Sequence, residues 1–481
     1  MLKYIKLSLF LISVTLLGQT QIGQTIEVTE PFFAISASSS ISGDGSRIVI
    51  GGGGKSEWGF RVYEHIADEW NQIGNDVNTD FPNDTSIYRV SISSSGNVVA
   101  VGAIITDTPS MGHVKIFEFN GFEWLQLGET LFGEWSDDNF GDSLSLSATG
   151  NRLIVGERNG SNGRGNAIVF EYDGADWNQM GSVIVGDENQ ILFGFSVSIS
   201  DNGQRIGITC NQFNVNGLTH AGLVRIFEYN GANWSQLGND IFGENNEEHF
   251  GVDVSLSNNG NRVIVGGSDF PNHNGFVRVF DFNGSNWTQI GDTLNGENIG
   301  ESFYSVTLSN DGNRLAIGAS SVRFNGTRHG LVRLYQFHNL NWVQLGDDII
   351  GDELMDYFGT NVSIAADGDS VVIGAFKFDI QQSGTEEGYA KVFDISDLIL
   401  SVGDLDSSKI VVYPNPTSNI IQFTNSKEVE SITISDSFGR LISQYNNSQN
   451  NIDVSYLQAG IYFIRLDINN NKSVVLKLIK K

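Results

Sequence analysis

A tryptophan returns at Trp70, Trp124, Trp177, Trp234, Trp287 and Trp342, at intervals of 54, 53, 57, 53 and 55 residues. Spacing that even means one supersecondary unit is copied along the chain, each copy burying its apolar face against its neighbours. The unit from Phe250 to Glu297 holds four short apolar or alternating runs, VDVSLS, RVIVGG, FVRVFDF and NWTQIG, each with the pattern of a strand. A glycine turn such as SNNGN joins the first two runs. Asn120-Gly121, Asp173-Gly174, Asn230-Gly231 and Asn283-Gly284 join the last two and predict tight type I′ hairpins; the units at His65 and His338 lack the dipeptide.

Four strands in about 50 residues is the size of a propeller blade, and it favours a closed ring over an open solenoid. The first turn occurs seven times, around Gly45, Gly96, Gly150, Gly203, Gly260, Gly312 and Gly368, yet the Trp strand occurs six times. The last unit ends at AKVFDISDLIL without a fourth strand, and Gln21 to Ile26 (QIGQTI) match Gln289 to Leu294 (QIGDTL). An all-β fold follows: a seven-bladed β-propeller over 21–400, closed by its own N-terminal strand so that no sheet edge is left open. A Trp on an outer strand is expected to pack between blades rather than stack on sugars. Arg152, Arg205, Arg262 and Arg314 after the first turn, and Arg225, Arg278 and Arg333 in the third strand, are expected to pair with nearby carboxylates.

Residues 1–20 read as a secretory signal peptide, with Lys3 and Lys6 ahead of an apolar run from Leu7 to Leu17, too short to span a bilayer. Cleavage is expected near Thr20, leaving Gln21 first and no transmembrane segment. The net charge of -28 is uneven: residues 21–407 carry 18 basic against 51 acidic side chains, residues 408–481 carry 8 against 5. Such an acidic body excludes nucleic acid as a partner, since a phosphate backbone needs clustered Lys and Arg. The lone Cys210, in RIGITCNQ, reads as a small core residue.

The run F-G-x-S-V-S-x-S-x-x-G-x-R-x-x-I, seen from Phe193 to Ile208 and in near form from Phe250, resembles the FG-GAP repeats of integrin-type propellers. Turns such as SNDGNRLAIG also resemble those of TolB-type and WD40-like propellers. Calcium-binding members carry an Asp-rich D-x-D-x-D-G loop, which is absent here, so no cofactor is identified and any Ca²⁺ would need another site. After the polar linker 401–409, residues 410–481 read as a small β-sandwich. They resemble the type A sorting domain of the type IX secretion system of Bacteroidetes, through Tyr413-Pro414-Asn415-Pro416, Gly439-Arg440, Gly460-Ile461-Tyr462 and the tail from Lys477 to Lys481. The resemblance implies the type IX machinery as a partner and delivery to the cell surface or beyond it.

No catalytic motif stands out. The histidines, His65, His113, His220, His249, His273, His329 and His338, look scattered, without metal-ligand spacing. The candidate binding residues are the acids of the connectors that follow each Trp strand: Glu134, Asp187, Glu244, Glu297 and Asp352. Connectors and strand-two-to-three loops are expected to open on one face, which makes a binding or adhesion propeller for a glycan, a protein or a cation the leading expectation. The alternative is a carbohydrate-active lyase or glycosidase using acids of the central channel.

Overall fold

The computed structural model describes residues 19–28, 38–53, 58–78, 84–105, 112–134, 138–187, 192–269, 274–297, 301–324, 327–352, 356–377, 387–396, 398, 412–413, 417, 419–423, 429–436, 440–446, 451–468 and 472–481. The chain divides into two compact units, Met1–Leu398 and Ile399–Lys481. Residues 1–18, which hold most of the expected signal peptide, and 401–409, the expected linker, lie outside the described residues.

Among the described residues the first unit is all-β apart from one helical turn at Gly160–Gly163. Its opening strands are β1 (Thr20–Val28), β2 (Ser38–Ile41), β3 (Arg47–Gly53), β4 (Trp58–Ile66) and β5 (Glu69–Asn78). Strands β2 to β5 form one antiparallel sheet in chain order, and six further sheets of the same design follow among the described residues. The last of them takes its fourth strand from the start of the chain: β1 pairs with Glu387–Asp394, Thr20 opposite Asp394 and Ile26 opposite Ala390. The match between the two segments extends to side chains. Gln21 Nε2 donates to Thr25 Oγ1 and Gln289 Nε2 to Thr293 Oγ1, both at 3.3 Å.

A circuit of backbone hydrogen bonds joins the first turns into a ring. Gly43 N–H donates to Ser94 O, Ser94 to Ala148, Ala148 to Asp201, Asp201 to Asn258, Asn258 to Asn310, Asn310 to Ala366 and Ala366 back to Gly43, at 2.9–3.1 Å. Serines continue the stitching along the innermost strands, as where Ser91 Oγ accepts from Leu146 N and Ser198 Oγ from Leu256 N, both at 3.1 Å.

The apolar core is distributed as layers between successive sheets. Val49, Phe60 and Val62 of one sheet pack with Val90, Val99, Val101 and Trp124 of the next. The phenylalanines that open the units, Phe140, Phe193, Phe250 and Phe358, each followed by glycine, and Phe303, followed by Tyr304, are at most 1% exposed. Each repeated Trp is buried against the preceding sheet and, in five of the six cases, donates its indole N–H there: Trp70 to Ile22 O, Trp124 to Ile73 O, Trp177 to Leu127 O, Trp234 to Met180 O and Trp287 to Leu237 O. The glycine after each such carbonyl is required. Gly74 sits at φ +70, and a Cβ there would meet Trp124 Cδ1 at 2.7 Å.

The hairpin expectation is corrected. At Asn120-Gly121 only the glycine has positive φ, because Asn120 Oδ1 accepts the amides of Phe122 and Glu123 and closes a four-residue loop, Phe119 pairing with Trp124. Asp173, Asn230 and Asn283 cap their loops in the same way. Side-chain capping of two backbone donors wins over the two-residue turn. Two consecutive positive-φ residues occur instead in the units without the dipeptide, at Ala67-Asp68 and Asn339-Leu340.

In the second unit a three-stranded sheet (Val412–Tyr413, Ile420–Phe423, Asn451–Asp453) and a four-stranded sheet (Leu441–Asn446, Val429–Asp436, Gly460–Ile468, Lys472–Lys480) share one core. Ile421 and Ile452 meet Ile432, Ile434, Ile464, Leu466 and Leu478 there, the construction of a β-sandwich.

Candidate functional site

The blade connectors and the loops between strands two and three meet at one edge of each sheet. Gly165, Gly222 and Gly330, at the start of third strands, form parallel bridges to Phe193, Phe250 and Phe358 of the following unit. At this edge the third strand carries a cation in six of seven units: Arg61, Lys115, Arg225, Arg278, Arg333 and Lys391.

Four of the five acids proposed from the sequence reach these cations. Asp187 lies 2.8 Å from Arg225, Glu244 lies 3.2 Å from Arg278, Glu297 lies 3.5 Å from Arg333, and Asp352 binds Lys391. The cations themselves are nearly buried, with side chains 15%, 6%, 3% and 9% exposed. A deeper tier of acids, missed by looking only at the Gly-acid pairs, completes the network. Glu248 binds Arg278 at 2.5 Å, Glu301 binds Arg333, and Asp356 accepts from Tyr389. Asp240 and Asp348 bind Arg225 and Arg333 from the fourth strand, at 2.8 and 2.9 Å. Burial works against the charges of Arg225 and Arg333, but these carboxylates outweigh it and raise both pKa values. The repeated acids therefore serve the joints between blades.

The unit from Phe140 to Val185 breaks the pattern. Its third strand has Ile168 where the others carry a cation, and the acid proposed there, Glu134, is exposed with no ion-pair partner among the described residues. Glu157, 2% exposed, stands where the other units have Gly52, Ala103, Cys210, Gly267, Ala319 and Ala375. Its Oε2 accepts from Asn166 Nδ2 at 2.9 Å, while Glu157 Oε1 and Asn166 Oδ1 have no hydrogen-bond partner. Burial, opposed by the Asn166 bond and reinforced by the charges of Asp138 and Glu134, pushes the Glu157 carboxyl up to about 7.

Acids of the innermost strands, invoked for the enzymatic alternative, are engaged. Asp253 accepts from Ser196 Oγ at 2.8 Å, Val254 N at 3.0 Å and Val306 N at 2.9 Å. Asp142 pairs with Arg158 at 2.8 Å. Cys210 is buried at 0% exposure in the layer between two sheets.

The histidines are not all scattered. Adjacent loops bring His220 and His249 together with ring centroids 5.6 Å apart and Glu247 beside them, a proximity that a separation of 29 residues hides. His273 lies outside the described residues.

In the second unit Tyr413 ends a short strand, Arg440 is exposed, and Gly460 and Tyr462 pair with Lys480 and Leu478. Lys477 pairs with Phe463 on the same edge. Pro414, Asn415, Pro416 and Gly439 lie outside the described residues.

Residues 411–481 match the model of the secretion system C-terminal sorting domain family. No curated protein matches the chain. Among solved structures, the WD40 repeats of RRP9 share 13% identity over 78% of this chain and 99% of that one, with a TM-score of 0.48. A putative 6-phosphogluconolactonase from Bacteroides uniformis shares 13% over 67% and 89%, with a TM-score of 0.46. The molecule is an all-β protein of propeller type that carries a type IX sorting domain. Proteins with this domain engage the type IX machinery and are attached to the cell surface or released. No helix among the described residues is long and apolar enough to cross a membrane.

Proposed function

We propose that the protein is a non-catalytic recognition and adhesion propeller of seven blades, exported behind a cleaved signal peptide, which captures an extracellular partner on its connector-and-loop face. The observation that carries this reading is the break at Ile168. Elsewhere the connector acids are matched by a cation of the scaffold, whereas Glu134 is exposed with no ion-pair partner among the described residues, and its charge helps hold the buried Glu157 carboxyl up at about 7. Uncompensated charge at a surface favours a ligand of opposite sign, so the partner is a protein or glycan presenting amino or guanidinium groups, or a cation that bridges to an anionic glycan. The resemblance of the sequence run from Phe193 to FG-GAP repeats is in keeping with a binding role.

The test is binding of the mature chain to glycan arrays and immobilised basic proteins, with Glu134→Gln/Glu157→Gln as the comparison. Retention by the wild type and loss by the variant supports the face, and equal binding by both refutes it. Turnover of a polysaccharide would replace the non-catalytic reading with the enzymatic one. Export is tested separately: deleting 411–481 is expected to hold the propeller in the periplasm, and normal surface display would refute that role.

A further inference from the structure

A second feature of the loop face is independent of the Ile168 break. The loop between strands two and three that ends at Gly222 and the connector that runs from Gly243 to Phe250 are zipped by backbone bonds: Glu247 N to Thr219 O at 2.8 Å, His249 N to His220 O at 2.9 Å and Phe250 N to Ala221 O at 3.0 Å. This zipper sets His220, Glu247 and His249 side by side, with one ligand atom of each within 4.8 Å of the others. His220 Nδ1 lies 2.9 Å from Glu247 Oε2, and His249 Nε2 lies 3.9 Å from the same oxygen. Two donors on a tetrahedral Zn²⁺, each at about 2.1 Å from the metal, stand about 3.4 Å apart, between those two values.

The surroundings orient the donors as outer-shell partners orient metal ligands. His249 Nδ1 lies 3.1 Å from the Glu247 carbonyl oxygen, which can only accept, so this ring nitrogen carries the proton and the neutral ring holds its lone pair on Nε2, the atom turned to the Glu247 carboxylate. Thr219 Oγ1 donates to Glu247 Oε1 at 3.0 Å and leaves Oε2 to the histidines. Asn214 Oδ1 holds the His220 amide at 2.7 Å, and Asn246 Oδ1 holds that of Thr219 at 2.9 Å. His220, Glu247 and His249 also have positive φ, 44°, 58° and 44°, a costly backbone for side chains with a Cβ. The strain falls on all three candidate ligands.

We infer that His220, Glu247 and His249 form a binding site for a divalent transition cation, Zn²⁺ by donor set, with three protein ligands and a fourth position open to solvent. Two imidazoles and one carboxylate are borderline donors that suit Zn²⁺ over Ca²⁺ or Mg²⁺, which take oxygen. With the His220 and His249 side chains 41% and 22% exposed, the ion is reachable from outside. It would give the face an electrophilic point able to accept a carboxylate or imidazole of a partner.

The experiment is calorimetric titration of ZnCl₂ into the chelator-treated full chain at neutral pH, with MgCl₂ and CaCl₂ as controls. One equivalent of Zn²⁺ bound without competition from Mg²⁺ or Ca²⁺ is expected. His220→Ala and His249→Ala should each weaken binding by more than the roughly 10–100-fold that losing an outer-shell partner costs, and Thr219→Val should fall within that range. Absence of binding, or unchanged affinity and stoichiometry in the His220→Ala/His249→Ala double variant, overturns the site. If the variants fold poorly, Co²⁺ added to the wild type decides: intense visible bands of a four-coordinate ion support it, and the spectrum of Co²⁺ in buffer overturns it. Wild-type Zn²⁺ binding that persists in Glu134→Gln/Glu157→Gln separates this site from the ligand face proposed above.

Discussion

The indole nitrogen of Trp70 donates to the carbonyl oxygen of Ile22 at 2.9 Å, tying the first full sheet to the strand that starts the chain. Trp70 is 3% exposed, and its ring lies in the apolar layer formed by Ile26, Ile48, Ile50, Val372 and Val392. The bond lies at the point where one blade is built from both ends of the first unit.

Trp70→Ala is expected to destabilise the first unit by about 3–5 kcal/mol through the cavity and the lost burial. Trp70→Phe keeps most of the ring and removes the donor, leaving Ile22 O unpaired, at about 1 kcal/mol. Urea unfolding of the two variants measures both, and no loss in Trp70→Phe would mean that the indole bond has no separate weight.

The residues just before the expected mature start bear on the same seam. Gln19 takes the place that Trp has in the other fourth strands: its Nε2 donates to Leu345 O at 3.3 Å and to Asp347 O at 2.7 Å, beside Gly346. A chain beginning at Gln21, as expected from the leader pattern, lacks this side chain and the Thr20–Asp394 pair. We expect such a chain to be less stable than one beginning at Gln19 by about 1–2 kcal/mol, read by thermal melts of the two proteins. Identical melting temperatures would show that Gln19 contributes nothing.

Arg333 and Glu297 separate the scaffold from the rim. Arg333→Ala leaves Glu301, 0% exposed, without its cation, and is expected to cost about 3–5 kcal/mol. Glu297 is 71% exposed and 3.5 Å from the guanidinium, so Glu297→Ala is expected to change stability by about 0.5 kcal/mol or less. Denaturant midpoints of the two variants check this, and comparable losses would contradict the two-tier arrangement.

Glu157 predicts a pH dependence. Its carboxyl is raised to about 7 in the folded chain from an ordinary value of 4.5, so between those pH values the native state holds a proton that the unfolded chain has released. Stability is therefore expected to fall as pH rises from about 4.5 through about 7, by on the order of 3 kcal/mol. Glu157→Gln removes the titration and should flatten that part of the profile, measured as unfolding free energy at pH 5 and pH 8. An unchanged slope would assign the pH dependence to other groups.

The fold was legible because its signals are local. Strand alternation, the glycine turns and a repeat of about 53 to 57 residues lie within one window of sequence, and the offset of seven turns against six Trp strands exposed the strand at Gln21. The hairpins were misjudged because Asn120 can bend its own backbone or cap it, and the choice depends on where the Oδ1 atom finds donors. The site was less legible. The connector acids stand out as a motif, but whether each meets a cation depends on one position of the next third strand, Arg333 in one unit and Ile168 in another.

The sequence by itself determined the class of fold, the repeat and the sorting module, since each rests on patterns within a few tens of residues. Only the tertiary structure decided what the polar side chains do. Blade-to-blade packing buries Arg278 and Arg333 against carboxylates of the preceding connector, and there a charge must be matched or be costly. The same packing strands Glu157 and brings His220 and His249 to one point, a proximity set by the ring and not by spacing along the chain.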